Sequence, residues 1–373
     1  MTFVIITHVL HIAIQQNYFA YAPYVHEMNI WIQELGEIII VAPKGSVKKT
    51  ALNQRFVHKN VKLEAVNSFD LLSVKAILNT FVDVPKISWQ IYKAMQKADH
   101  IHLRCPGNIG LIGCVVQILF PKKIKTAKYA GNWDPKSKQP WSYRLQKWLL
   151  SNTFLTRNMQ VLVYGAWGDS SPNVKPFFTA TYKEEEKLPI KSKRLEGTIK
   201  FVFAGTLSRS KNPLYAIQLI AVLAKRGYQV HLDLYGEGME RELLEKYIRE
   251  HQLMDAVILK GNQSQLVLTK AYQDSHFVIL PSASEGWPKA VAEGMFWGCV
   301  PLATAVSCVP YMLDHGRRGV LLEMDLEKDQ AQMALLLGDQ GDYEEKQKKA
   351  ADWSRAYTLD VFEKEIGDLL QSN

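Results

Sequence analysis

The sequence predicts an α/β protein of two doubly wound parallel sheets, and three observations carry that prediction. Short apolar runs alternate with amphipathic stretches, many closed by glycine, along most of the chain, which is the pattern of strand–helix–strand units. The 373 residues suit two domains of about 100–200 residues each. A charged, proline-containing segment without periodicity, 183–197, falls near the middle and reads as a linker.

In the first half, Phe3 to Ile6, Glu37 to Val41, Val61 to Val66, His100 to Leu103, Thr126 to Ala130 and Gln160 to Val163 are strand-like. Tyr21 to Leu35, Pro85 to Ala98, Ile109 to Leu119 and Trp141 to Leu150 supply the helices between them. The second half is more regular. Lys200 to Gly205 is an apolar run stopped by glycine. The helix that follows, from Asn212, carries apolar residues at 214, 217, 220, 221 and 223 and ends at Gly227. Strands at Val230 to Tyr235, Ala256 to Leu259, His276 to Leu280 and Val300 to Thr304 alternate with helices at Glu240 to Gln252, Leu266 to Gln273 and Pro288 to Trp297. Sheets of this kind bind ligands beyond the carboxyl ends of their strands, so the crevice between the domains is the expected site.

Composition excludes several classes. At 47% hydrophobic and 22% charged residues the chain is neither disordered nor fibrous. Its longest apolar run, Ile109 to Phe120, is too short to span a bilayer and contains Gln117. The N-terminus lacks the basic region and cleavage site of a secretory signal. Cys105, Cys114, Cys299 and Cys308 occur singly, as expected of reduced thiols in a cytoplasmic protein. There is neither zinc-ligand spacing nor a nucleic-acid-binding motif, so no metal and no nucleic acid are expected. Charge divides unevenly: residues 1–196 hold 26 Lys and Arg against 13 acids, and the remainder 19 against 24. Within 122–148, eight basic residues face the single acid Asp134, with Trp133, Trp141, Tyr143 and Trp148 interleaved. Such a stretch suits an anionic membrane surface or a phosphorylated acceptor; the alternative is a solvated basic face with its aromatics turned inward.

The densest chemistry lies in Leu280-Pro-Ser-Ala-Ser-Glu-Gly-Trp-Pro-Lys-Ala-Val-Ala-Glu-Gly-Met295. A strand ends, a loop follows, and a helix opens at Pro288, a favoured first helical position. The amides of Gly286 and Trp287 then sit at a helix N-terminus, which attracts phosphate or sugar oxygens. Glu285 and Glu293 can each accept hydrogen bonds from separate hydroxyls of one extended ligand. Otherwise Glu285 is a helix-end acid and Glu293 a surface residue paired with Lys289.

The Glu-x7-Glu frame resembles the signature of the retaining family 4 glycosyltransferases of the GT-B fold, the group 1 transferases. Phe201 to Pro213 resembles that family's phosphate-binding strand and loop, Leu234-Tyr-Gly-Glu-Gly-Met239 its glycine loop, and Leu259-Lys-Gly-Asn262 the turn beside the base. Gly298 to Thr304 and Tyr311 to Glu323 are similar to its closing elements, so the ordered resemblance spans nearly all of 200–325. It implies an N-terminal acceptor-binding Rossmann-like domain over 1–182, a C-terminal nucleotide-sugar-binding domain over 198–350, and a C-terminal helix in 351–373 packing back on the first domain.

The resemblance also implies an enzyme, a retaining nucleotide-sugar-dependent hexosyltransferase of polysaccharide or glycolipid assembly. It implies a UDP- or GDP-sugar as co-substrate and no separate cofactor. The partners are then that donor and a saccharide or lipid-linked saccharide acceptor, met in the cytoplasm, at the inner membrane face if 122–148 binds there. Glu285 would hold donor-sugar hydroxyls, Glu293 the ribose, and Lys211 the diphosphate. Gly205, Thr206, Gly236, Asn262, Gly286, Trp287, Pro288 and Lys289 would complete the donor site. Thr206 stands where the family usually has Arg; either Arg209 of the same loop replaces that charge or one phosphate contact is lost.

The first half departs further. Thr7 to Gln16 lacks the family's Gly-Gly loop, and His8 and His11 either touch acceptor or phosphate or are packed. In Ala98 to Gly107, His102 matches the first of two family histidines, while Arg104 stands at the second and cannot serve as a base near neutral pH. Arg104 therefore binds an anionic acceptor or the diphosphate, or the pocket is tuned differently. Asn132 and Asp134 complete the acceptor-side candidates. The competing readings are a nucleotide-sugar epimerase or hydrolase, and a non-catalytic nucleotide- or partner-binding member of the fold.

Overall fold

A computed structural model describes residues 1–45, 50, 53–67, 74–168 and 170–371. The chain divides into two compact units, Met1–Phe178 with Glu363–Asn373, and Thr179–Phe362.

The first unit contains β1 (Thr2–Ile6), β2 (Ile12–Ile14), β3 (Asn17–Tyr21), β4 (Glu37–Pro43), β5 (Asn53–Arg55), β6 (Val61–Val66), β7 (His100–Cys105), β8 (Ile124–Tyr129), β9 (Met159–Tyr164) and β10 (Val174–Phe177). Seven form one parallel sheet in the order β10-β9-β8-β7-β1-β4-β6. β1 and β4 read as near-continuous apolar runs because helices cover both faces of such a sheet. The chain adds strands on one side of β1, then returns to its other side with β7. The switch point, where a doubly wound sheet opens a crevice, therefore lies at the carboxyl ends of β1 and β7.

Two features of this unit differ from expectation. β2, β3 and β5 form a small antiparallel sheet where only a loop and a helix start were expected. These strands run three to five residues, too short for alternation to register against flanking polar residues. The helix expected from Pro85 begins at Val74 and runs through that proline to Lys97. Its apolar stripe against the sheet, with Ile87, Ile91, Ala94 and Met95 buried, compensates for the one backbone hydrogen bond proline removes.

The second unit holds β11 (Ile199–Ala204), β12 (Val230–Tyr235), β13 (Val257–Gly261), β14 (Phe277–Leu280), β15 (Val300–Thr304) and β16 (Val320–Leu322), parallel in the order β13-β12-β11-β14-β15-β16. Its switch point lies between β11 and β14. The segment 183–197, expected as a linker, is held along this unit: Lys193 Nζ donates to the carbonyls of Ser275 and Gly298, and Leu195 N to Gln340 Oε1. Ile190 packs against Gly298. A charged composition thus conceals an ordered strap whose donors find carbonyl acceptors.

Candidate functional site

In the second unit, two loops meet at the switch point. The loop after β11 brings Lys211, and the loop between β14 and the helix Lys289–Phe296 brings Glu285. Lys211 Nζ lies 2.5 Å from Glu285 Oε1, with the carboxylate buried and the lysine partly open. The backbone bond from Ala283 N to Ser210 O, 2.8 Å, clamps the loops together. Thr304 Oγ1 donates to Ser282 O, and Ser307 Oγ and Cys308 Sγ to Gly286 O. The loop carrying Glu285 is therefore fixed from both sides.

The glycine loop after β12 lies backbone to backbone against the Lys211 loop. Gly205 N donates to Tyr235 O and Leu207 N to Glu237 O, both at 2.9 Å. Gly236 has φ +141°, and a Cβ there would lie 1.9 Å from Gly205 O. Glycine is required at this position by contact as well as by conformation. Gly205 itself is unobstructed, and Thr206, Arg209 and Asn262 are exposed around the same strand ends. Arg209 forms no ion pair among the described residues.

Glu293 is held differently from the surface alternative. Its Oε1 accepts from Thr181 Oγ1 at 2.9 Å and its Oε2 from Tyr272 OH at 3.2 Å. No ion pair joins it to Lys289 among the described residues. Burial raises its pKa, against the opposing influence of Thr181, Lys289 and Tyr272. Glu293, Lys289 and Trp287 line a small pocket with Thr181, Tyr182 and Tyr357. The Trp287 indole is buried, stacked on Trp353 and edge-on to Tyr357, and so packs the domain. Pro288 caps the helix, which starts one residue later than expected. Thr181 and Tyr272, which orient Glu293, carried no sequence signal: each lies far from Glu293 along the chain.

In the first unit, the acceptor-side candidates separate. Arg104 Nη1 donates to Glu27 Oε1 at 2.6 Å, and the same oxygen receives Lys128 Nζ at 3.1 Å. Arg104 and Lys128 are register partners on β7 and β8, and Glu27 reaches them from the helix Ala22–Ile32. The two cations hold the Glu27 carboxyl down at about 2, against its burial, which acts upward as the largest single influence. Sequence reasoning found Arg104 and missed Glu27 and Lys128; a buried lysine inside a basic stretch looks like any solvated one.

His8 is at the end of β1, against Gly107, where an added Cβ would lie 2.4 Å from its Nδ1. Burial, then the Arg104 charge, lower its pKa. His11 is packed: its Nδ1–H donates to the Val9 carbonyl at 2.7 Å, and its ring stacks on Phe56 and meets Tyr24 edge-on. Burial lowers it to about 4. His102 and His100 are both buried and share the Thr126 hydroxyl at 2.9 Å each. Asn132 and Asp134 use side-chain oxygens on backbone amides two residues ahead, building the loop after β8.

Comparison with known proteins agrees with the fold. The whole chain superposes on the lipopolysaccharide outer core galactosyltransferase WaaB, covering 100% of this chain and 99% of that one, with TM-score 0.69 at 15% identity. An Anabaena protein, HepE, solved with UDP and glucose, is covered fully by all of this chain with TM-score 0.67 at 15% identity. The fold is GT-B, two Rossmann-like α/β domains. Residues 184–353 match the family Glycosyl transferases group 1. A D-inositol 3-phosphate glycosyltransferase of Pseudarthrobacter chlorophenolicus is 27% identical over 131 residues, 34% of this chain and 31% of the relative. A poly(glycerol-phosphate) alpha-glucosyltransferase of Bacillus subtilis is 27% identical over 124 residues, 33% of this chain and 17% of the relative. The chain thus matches about a third or less of these curated relatives' length.

Proposed function

We propose that this protein is a retaining glycosyltransferase of hexosyltransferase type, moving a sugar from a nucleoside-diphosphate donor to an acceptor hydroxyl in polysaccharide or glycolipid assembly. The observation that carries the reading is the Lys211–Glu285 contact at the switch point of the second unit, inside the family match. Lys211 offers a fixed cation to the diphosphate leaving group, and Glu285 accepts hydroxyls of the sugar next to it. Each oxygen of Glu293 keeps a lone pair beyond its bond to Thr181 or Tyr272, enough to receive two ribose hydroxyls. The amides of Gly286 and Trp287, with Gly205, Thr206, Gly236, Asn262 and Lys289, would complete the donor site, and exposed Arg209 would swing onto a phosphate. The acceptor hydroxyl attacks the anomeric carbon from the face the diphosphate leaves, and the departing phosphate oxygen takes its proton. A UDP-sugar is the first donor to try, since HepE was solved with UDP and glucose.

The acceptor is reached at an anionic membrane face. Trp141, Arg144 and Trp148 are exposed along one side of the helix Trp141–Ser151, beside exposed Val115, Leu119 and Phe154. Among the described residues no helix is long and apolar enough to cross a membrane, so contact would be peripheral and salt-sensitive. Sedimentation with vesicles containing anionic lipid is expected at low salt and lost at high salt; no sedimentation at low salt removes the membrane from the proposal.

The central test is calorimetry with UDP, GDP, ADP and CMP on the wild type and on Glu293→Gln. One nucleoside diphosphate should bind and weaken at least tenfold in the variant. A folded protein that binds none of them refutes the transferase reading.

A further inference from the structure

Glu293 is held by two hydroxyls from elements far apart in the chain, and each takes one of its oxygens. Oε1 accepts from Thr181 Oγ1 at 2.9 Å and Oε2 from Tyr272 OH at 3.2 Å. A single bond would let the carboxylate swing about it; one bond on each oxygen fixes both its place and the tilt of its plane. Both donors are themselves anchored. Tyr272 is fully buried in the helix Gln265–Asp274, in one apolar cluster with Tyr182, Phe296 and Trp297. Thr181 is placed by its neighbour Tyr182, whose ring stacks on Phe296 and meets Trp297 edge-on. The Tyr182 hydroxyl pairs with Thr269 Oγ1 at 3.1 Å, and its carbonyl accepts from Leu359 N at 2.8 Å. The helix Lys289–Phe296 that carries Glu293 is pinned in turn, by Ser354 Oγ on Ala292 O and Arg355 Nε on Phe296 O. Satisfying two hydroxyls does not require a charge, and burying a charged acceptor is unfavourable while its lone pairs stay empty. Of about four lone-pair sites on a carboxylate, the two bonds fill one on each oxygen. What remains is one acceptor site per oxygen, side by side on a fixed plane.

We propose that Thr181 and Tyr272 are positioning residues that make Glu293 a reader of two neighbouring hydroxyls, and thereby set the preference of the site for a ribonucleotide over its deoxy forms. The inference rests on the transferase reading, in which Glu293 receives the ribose. A deoxy ligand leaves one acceptor of the held carboxylate unfilled, and a site built to pair with a hydroxyl rejects the analogue that lacks it. Thr181 and Tyr272 act through the carboxylate: without either hydroxyl it turns, and its two free sites no longer meet two hydroxyls together.

The test is calorimetry on the full chain with UDP, 2′-deoxy-UDP and 3′-deoxy-UDP, or the matching forms of GDP or ADP where that nucleotide binds more tightly. The wild type should bind the ribonucleotide at least about tenfold more tightly than either deoxy form. Thr181→Val keeps the shape of the side chain and removes its hydroxyl, and Tyr272→Phe removes one oxygen. Each should lower the preference over at least one deoxy form by about threefold or more, chiefly by weakening the ribonucleotide. Thr181→Ser, which restores the hydroxyl, should keep the preference within about twofold of wild type. Should Tyr272→Phe not fold, Thr181→Val, at a residue that is only half-buried, decides alone. A folded variant that weakens ribonucleotide and deoxy forms alike, or leaves the preference unchanged, has lost packing and not positioning, and this overturns the inference while nucleotide binding stands. A wild type that binds UDP and its deoxy forms equally overturns both the inference and the placing of ribose at Glu293. Binding of no nucleotide at all sinks the transferase reading and this inference with it.

Discussion

Gly236→Ala is the sharpest perturbation of the candidate donor site. The new methyl would lie 1.9 Å from Gly205 O and 2.9 Å from Gly205 C, where contacts below 3.0 Å essentially never occur. The two loops must part by more than about 1 Å, against bonds at Gly205 N, Leu207 N and Glu240 N that hold them together. Overpacking of this kind costs about 1–3 kcal/mol, and the strained φ of +141° adds about 1–3 kcal/mol for a residue with a side chain. The expected loss is roughly 2–6 kcal/mol. Gly227→Ala provides the control, because it too has a positive φ, +90°, but a Cβ there meets nothing within 4 Å; it should cost only about 1 kcal/mol. Urea denaturation of the two variants separates contact from conformation. Nucleotide calorimetry on Gly236→Ala, at a temperature where it remains folded, should show at least tenfold weaker binding because Lys211 is carried by the displaced loop. Equal costs in the two variants would refute the clash argument.

Acid should destabilise the protein well before its carboxylates titrate. His11 and His100 have folded pKa values of about 4, against 6.5 unperturbed, so the unfolded chain takes up their protons first. Stability is intact above 6.5 and declines as pH falls towards 4, by about 2 kcal/mol per ring at pH 5; a melting temperature that stays flat from pH 7.5 to 5 would contradict this. Glu27 acts lower: its folded value of about 2 lies beneath the ordinary 4.5, so its contribution is present above 4.5 and lost as pH falls through about 2. Asp329→Ala should cost about 3 kcal/mol in urea denaturation, because the buried carboxylate accepts from Tyr215 OH, Glu323 N and Met324 N. Lys211→Met should weaken UDP by roughly 10–100-fold while leaving uridine, which lacks phosphates, unchanged; parallel losses would place Lys211 away from the diphosphate.

How far the sequence could be read depended on the range of the interactions involved. β12, with Val230–Tyr235, was legible to the residue because apolar alternation and a following glycine are local signals. The Lys211 and Glu285 loops were legible because each lies within one strand–loop–helix unit. Their contact follows from topology, since a doubly wound sheet brings two loops to its switch point. The partners of Glu293 were not legible: Thr181 is 112 residues away and Tyr272 is 21, and neither stands at a distinctive spacing. The same holds for Glu27, 77 residues from Arg104, whose place in a helix looked like that of a surface acid. His11 shows the converse, a residue of chemical promise whose neighbours Phe56 and Tyr24 make it part of the packing.

The charge balance at the switch point of the second unit bears on the order of events. In the second unit one cation meets one carboxylate, and the lysine remains partly open. A diphosphate approaching Lys211 gains the cation but also meets the Glu285 charge. A sugar on that diphosphate removes the conflict, because its hydroxyls donate to Glu285 while the phosphates take Lys211. On the proposed reading the pair favours the intact donor over the free nucleotide, the discrimination a transferase needs in order to release its product. On this argument Glu285→Gln should tighten free UDP while weakening UDP-glucose or whichever donor proves active. Titration of both ligands against the variant measures the two effects separately, and a change of the same sign in both would show that the carboxylate does not distinguish sugar from phosphate.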